Sequence, residues 1–258
     1  MRDIPTLCWR LFGAVTFLFM LSPLLILVLF AFSDKKLLAF PIPGLTVDWF
    51  VKIFGRPEFW VAFQNSMVIV VSVGVASTII GIMAASALIR LRPRVASISI
   101  ILLTMSVMLP PLVLALALLS YFTSVGAGLG LPMVILGHLV FTQPFVILIV
   151  YARMSKFDLA IVNSARDLGA SPLRAYFSVT LPIIRPTIIG AALVAMALSL
   201  DDFIITFFTI GGGNTLPTLI WGMLRQGVDP SINVVALILM TLTIGVSIIA
   251  LRITRYRG

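Results

Sequence analysis

Two adjacent carboxylates, Asp201 and Asp202, lie inside an apolar run from about Thr187 to Phe208. Each aspartate at membrane depth costs roughly 2.5–3.5 kcal/mol on insertion scales. Fifteen residues past Pro186, at 1.5 Å each, a helix carries Asp201 about 22 Å along its axis. Compensation must come from a water-filled path, hydrogen bonds, a basic partner such as Arg225, or a cationic substrate. Two readings stay open. The pair lines a cation-favouring translocation path, or it caps a helix or bonds between helices to hold an outer gate. Trp221 and Tyr121 offer aromatic faces to an ammonium group, worth about 0.5–2 kcal/mol each; anchoring at the membrane interface is the competing use of both. The single histidine, His138, has no Cys, Asp or Glu near it in sequence. It reads as a packed, neutral side chain rather than a ligand or proton carrier.

A second polar interruption runs from Arg153 to Pro186. It reads as two short helices joined by a tight bend. Asp158 is placed to cap a helix through Ala165 and Leu168, and Gly169 sits where that helix ends. Ser171 then offers an N-cap, and Pro172 suits the first helical position of the next helix. Leu173, Tyr176, Phe177, Thr180 and Leu181 fall on one face at spacings of three and four. Pro182 and Pro186 mark the expected turn back into the apolar region. Nothing in this stretch is catalytic. Its geometry suits a docking element that takes mechanical input from a partner.

Catalytic motifs are absent elsewhere too. The run Gly211-Gly212-Gly213-Asn214 lacks the lysine of a phosphate-binding loop. Any ATP is therefore expected on another chain. No metal-ligand spacing exists, and neither a G-x-S-x-G nor an H-E-x-x-H pattern occurs.

Composition supplies the setting. Of 258 residues, 60% are hydrophobic and only 10% charged, where a soluble domain carries about 25% charged. The chain reads as an integral membrane protein, all-α, with no charged stretch long enough to fold alone. Six spans are expected at about 11–32, 66–89, 97–120, 131–152, 187–208 and 232–251, with 158–182 as a polar loop between the fourth and fifth. The first, Leu11 to Phe32, reads as an uncleaved helix, because a signal peptide has a shorter apolar core and an A-x-A site. The net charge of +9 belongs to topology rather than to nucleic acid. The termini, the 90–94 turn and the 153–186 loop hold 13 Lys and Arg, against 5 in the remaining loops. The positive-inside rule puts both termini and the docking loop in the cytoplasm. In the second span Gly74, Thr78, Gly81 and Ala85 line one face and permit close helix approach. The segment 33–65, with Pro41, Pro43 and Gly44, is expected to hold a short interfacial helix, with Trp49 and Trp60 at headgroup depth. Leu216 to Arg225 reads as a short re-entrant or surface helix begun by Pro217. Cys8 cannot form an internal disulfide and reads as an inert thiol near the membrane surface.

At this point the sequence resembles a family. The run Asn163-Ser164-Ala165, then Gly169, then Val179-Thr180-Leu181-Pro182 is similar to the EAA loop of ABC importer permeases. Asn163 and Ser164 stand where that pattern has Glu and Ala, which removes the family's glutamate. The stretch from Leu198 to Ile238, with its Ser199-x-Asp201-Asp202-Phe203 segment, Gly-rich turn and Gly227-Val228-x-Pro230-x-Ile232-Asn233, looks like the permeases of polyamine-type importers. Related permeases carry polyamines, opines, other amino compounds and aminoalkylphosphonates. After Met108-Leu109-Pro110, where polyamine permeases commonly have an acid, this chain has Pro111. That weakens the case for a divalent or trivalent polyamine and instead kinks the third span.

The resemblance implies a type I ABC importer permease: six helices, no cofactor in this chain, and ATP and Mg bound by a partner ATPase. It implies two copies of that ATPase, a second and paralogous permease, and a periplasmic or lipoprotein substrate-binding protein, in a bacterial inner membrane. The coupling contact would comprise Asn163, Ala165, Asp167, Gly169, Ser171, Pro172, Tyr176, Phe177, Leu181 and Pro182, and the substrate path Asp201, Asp202, Trp221 and Tyr121. The expected substrate is a small polyamine or related amino compound, with an opine, amino acid derivative or aminoalkylphosphonate as the alternative. A secondary transporter or channel is the rival class. It calls for more intramembrane ionisable groups and an internal repeat, neither of which is evident. A membrane enzyme has no catalytic constellation to support it.

Overall fold

A computed structural model describes residues 3–36, 39–42, 44–227 and 229–255. Pro43, and Arg2 and Arg257 of the charge count, lie outside the described residues. Among the described residues the elements are helices, with one isolated antiparallel bridge between Ser33 and Leu45: α1 (Asp3–Ala31), α2 (Asp48–Phe54), α3 (Pro57–Leu88), α4 (Pro93–Met108), α5 (Pro111–Ser124), α6 (Leu131–Met154), α7 (Leu159–Asp167), α8 (Pro172–Ala175), a π-helical turn (Tyr176–Thr180), α9 (Leu181–Asp201), α10 (Ile204–Thr209), α11 (Leu216–Gln226) and α12 (Ser231–Arg255). Among the described residues five helices are long and apolar enough to cross a membrane, and α4 with α5 makes a sixth, bent by 98°.

Three expectations about these elements change. The expected 97–120 span is two helices, because Pro110 and Pro111 lack N–H groups and force Leu109 and Pro110 into extended backbone (ψ 138° and 133°). The expected 187–208 span ends at Asp201, and Asp202 turns the chain out of the helix at ψ 124°. Pro182 and Pro186 mark no turn. Helical backbone runs unbroken from Pro172 to Asp201. The π turn explains how: Leu181 N–H donates to the carbonyl of Tyr176, five residues back, and Pro182, with no N–H to give, follows directly on this wider turn.

Prolines inside two other spans show a shared solution. Pro144 cannot donate to the Val140 carbonyl, and the Ser106 hydroxyl of α4 does so instead at 3.1 Å. Pro23 leaves the Phe19 carbonyl free, and Ser22 donates to it at 2.7 Å. In a bilayer no water would cover these oxygens.

The chain divides into two compact units, residues 1–60 with 219–241, and residues 61–218 with 242–258. In the second, α3, α6 and α9 share a core of Ala85, Val146, Val150, Met154, Ile184, Ala191 and Ala195. The small face of α3 makes this possible. A Cβ on Gly81 would lie 2.5 Å from Val146 Cγ1, and one on Gly74 2.5 Å from Met196 Cγ. Beside it α5 and α10 bury Leu114, Ala115 and Ile205 together.

In the first unit Trp49 is not an exposed anchor. It is buried, and its Nε1–H donates to the Ser33 carbonyl at 2.7 Å, holding α2 against the chain that leaves α1. Trp60 stays half exposed and donates to the Phe54 carbonyl at 2.8 Å. Lys52 of α2 pairs with Asp229 at 2.7 Å. Asp229 in turn accepts from Ser231, through its backbone N–H at 2.9 Å and its hydroxyl, at the start of α12. Partial burial pushes the Asp229 carboxyl up, but the Lys52 ammonium and the Ser231 donors outweigh it and hold the group below its ordinary range.

Candidate functional site

The break after α9 separates the two aspartates. Asp201 ends the helix with an exposed side chain. Asp202, one residue later on extended backbone, turns inward. Its Oδ2 accepts from Thr206 N–H at 2.9 Å and from the Thr206 hydroxyl at 3.2 Å, and so caps the first turn of α10. The same oxygen lies 3.2 Å from His138 Nε2. His138, on α6 and 1% exposed, also reaches the Ser199 hydroxyl through Nδ1 at 2.7 Å and the Thr206 hydroxyl through Nε2 at 2.9 Å. With Asp202 ionised, one assignment satisfies every group: Nε2–H donates toward Asp202, and Nδ1 accepts from Ser199. One imidazole thus ties α6, the end of α9 and the start of α10. A cavity of about 10 Å³ adjoins this cluster, close to the size that holds one water.

Compensation for Asp202 therefore comes from His138 and Thr206, neither of which the sequence reading gave that task. His138 is packed as expected, yet it has a carboxylate partner 64 positions away. No local spacing signals such a pair. Arg225, considered as a partner, instead lies over the Trp221 ring at 5.7 Å in the first unit. Trp221 thus already presents a face to a cation of its own chain. Tyr121 is 61% exposed, with its ring tilted against Phe122.

The polar segment folds from its caps. Asp158 Oδ1 accepts from Ala160 N–H at 2.9 Å and starts α7. Gly169 follows the end of α7 at φ +89°, a left-handed conformation that costs other residues roughly 1–2 kcal/mol. The Ser171 hydroxyl accepts from Arg174 N–H at 3.3 Å, with Pro172 in the first turn of α8. Asn163, Asp167, Ser171, Pro172 and Pro182 are exposed, and Ala165 and Leu181 are half-buried. The expected single face of the second helix is divided. Thr180 is buried, and the half-buried Tyr176 has its hydroxyl 2.7 Å from that of Ser86 on α3. Leu173 and Phe177 point the other way, 73% and 64% exposed, and Leu168 is 90% exposed. The π turn and the packing on α3 cause this: Tyr176 belongs to the protein's own interior, and the outward apolar edge is Leu168, Leu173 and Phe177.

Residues 77–256 match the family described as "Binding-protein-dependent transport system inner membrane component". The chain belongs to this family. It is similar to the putrescine transport system permease protein PotI of Escherichia coli (strain K12), 32% identical over 232 residues that cover 87% of this chain and 82% of the relative. It is also similar to the spermidine/putrescine transport system permease protein PotC of Haemophilus influenzae, 29% identical over 245 residues and 95% of each chain. The permease fold resembles a crystal structure of a bacterial ABC transporter involved in the import of the acidic polysaccharide alginate, with a TM-score of 0.78, 16% identity and coverage of 99% of this chain and 96% of that one. An inward-facing MetNI methionine ABC transporter gives a TM-score of 0.65 at 19% identity, covering 79% of this chain and 99% of that one. This is an all-α membrane permease subunit of an ABC importer, which sets aside the secondary-transporter, channel and enzyme readings.

Proposed function

We propose that this permease translocates a small polyamine or related amino compound, and that Asp201 is the carboxylate that favours the cation on its path. The observation that carries the assignment is the division of labour at the α9 break. Asp202 has its carboxylate hydrogen-bonded by His138 and Thr206, whereas Asp201 is exposed. Similarity to putrescine and spermidine/putrescine permeases supports an amino-compound substrate. Pro111, in place of an acid, favours a cargo with fewer charges over a long polyamine. An opine, an amino acid derivative or an aminoalkylphosphonate is the alternative cargo.

The mechanism is alternating access driven by two copies of a cytoplasmic ATPase, which bind the ATP and Mg. The exposed apolar edge of the 158–182 segment, Leu168, Leu173 and Phe177, seats in the ATPase. Asn163, Ala165, Asp167, Gly169, Ser171, Pro172, Leu181 and Pro182 shape that edge, and Tyr176 braces it on Ser86. A second, paralogous permease completes the path, a binding protein delivers cargo from outside, and both termini lie in the cytoplasm.

Uptake into proteoliposomes containing the co-purified complex tests this. Asp201→Asn is expected to reduce uptake of labelled putrescine at least about tenfold, the effect of losing roughly 1.4 kcal/mol, while leaving the complex assembled. Undiminished uptake in Asp201→Asn would remove Asp201 from the path. Competition by an opine or aminoalkylphosphonate, with none by putrescine, would transfer the assignment to that class.

A further inference from the structure

We propose that the cavity at the foot of α3, α6 and α7 binds one anionic phospholipid, its phosphate on Arg90 and Arg166 and the upper part of an acyl chain inside. The cavity measures about 230 Å³, far beyond the roughly 10–15 Å³ that holds a single water. Its walls are Ile89, Met154, Phe157, Leu159, Val162 and Pro172, apolar apart from Ser86, Tyr176 and Thr180. The Ser86 and Tyr176 hydroxyls already bond each other at 2.7 Å, and Ser86 lies 2.7 Å from the Ile82 carbonyl. They ask nothing of a ligand.

The charged lining is one-sided. Arg90 and Arg166 contribute to the cavity and no acid does. Among the described residues neither arginine forms an ion pair. Depth also matters. Arg90 follows the last residue of α3, Leu88, by two positions, and Met154 is the last residue of α6. Arg90 therefore sits where α3 leaves the apolar region, and Arg166 of α7 lines the same cavity from the polar side. Basic pockets between span ends recognise anionic headgroups in this way. A free small anion would pair the arginines and leave the apolar wall wet. A neutral lipid would cover the wall and leave the arginines to water. An anionic phospholipid uses both.

Native mass spectrometry of the full chain, offered equal amounts of phosphatidylglycerol and phosphatidylcholine with the same acyl chains, tests the site. Each interfacial arginine is worth a factor of about five. Wild type is therefore expected to retain phosphatidylglycerol over phosphatidylcholine by about tenfold or more, as a single adduct. Arg90→Ala with Arg166→Ala is expected to erase that preference, and Arg90→Lys with Arg166→Lys to keep most of it, which separates loss of charge from loss of fold. Val162→Trp, which fills the cavity, is expected to lower the adduct of both lipids. Equal retention of the two lipids by wild type, or a preference that survives the double alanine change, would overturn the proposal. So would displacement of the adduct by millimolar inorganic phosphate, which would mark a small-anion site instead.

Discussion

At the scale of single residues, the decisive contacts join positions far apart in sequence. Asp201 and Asp202 are conspicuous in an apolar run, but their different environments follow from one extended residue and from His138 on another helix. His138→Ala would leave the Asp202 carboxylate without its ring partner and the Ser199 hydroxyl without an acceptor. The expected loss is about 1.5–3 kcal/mol, the scale for a hydrogen bond to a charged group. It would be read as a fall in the unfolding midpoint of the purified permease, with a smaller fall for His138→Gln. An unchanged midpoint would show that the imidazole holds nothing together. Ser106 is a quieter case. Ser106→Ala strips the Val140 carbonyl of its donor beside Pro144, with an expected cost of about 1–3 kcal/mol, again measured as a midpoint shift. A proline in a span announces an orphan carbonyl. Which side chain answers it is set by packing, so the role of Ser106 was not legible in the sequence.

At the scale of elements, caps and small residues were legible, and faces were less so. Asp158, Gly169, Ser171 and Pro172 act within four residues of where they stand, and their local chemistry fixes α7 and α8. The direction of Tyr176 and Phe177 was not legible, because helical spacing assumed a regular α-helix and the π turn shifts the register. Gly81 and Gly13 make a controlled comparison. Gly81→Leu drives a side chain into Val146, whereas a Cβ at Gly13 meets nothing within 4 Å. The first is expected to destabilise the permease by at least about 1–3 kcal/mol, the second to stay within about 0.5 kcal/mol, as read from thermal unfolding of both variants. In the first unit the Lys52–Asp229 pair depresses the carboxyl, so its stabilisation is present above the ordinary carboxylate range. It is lost as pH falls through the lowered value. Both side chains are about one third exposed, so screening holds the contribution to roughly 0.2–1 kcal/mol. Lys52→Met is expected to move the acid limb of the midpoint-against-pH curve to higher pH, and an unmoved limb would mean that Ser231 alone sets the carboxylate.

At the scale of the whole molecule, the membrane class, the apolar spans and the family were legible in composition and in two motifs. The breaks after Met108 and Asp201 needed the structure, since hydropathy averages across them and cannot see a change of backbone direction. One feature links the two proposed functional ends. Helical backbone from Pro172 to Asp201 covers 30 residues, about 45 Å, with the outward apolar edge near its start and the aspartate pair at its finish. Its length carries phase as well as reach. One alanine inserted between Arg185 and Gly190 would advance the far end by only about 1.5 Å but rotate it by about 100°. Ser199 would swing off His138, and Asp201 would exchange its outlook for the interior, although no residue had been lost. Substitutions along this stretch can be absorbed locally. A change in count shifts the last turn unless a second wide turn like that at Tyr176–Thr180 takes up the extra residue.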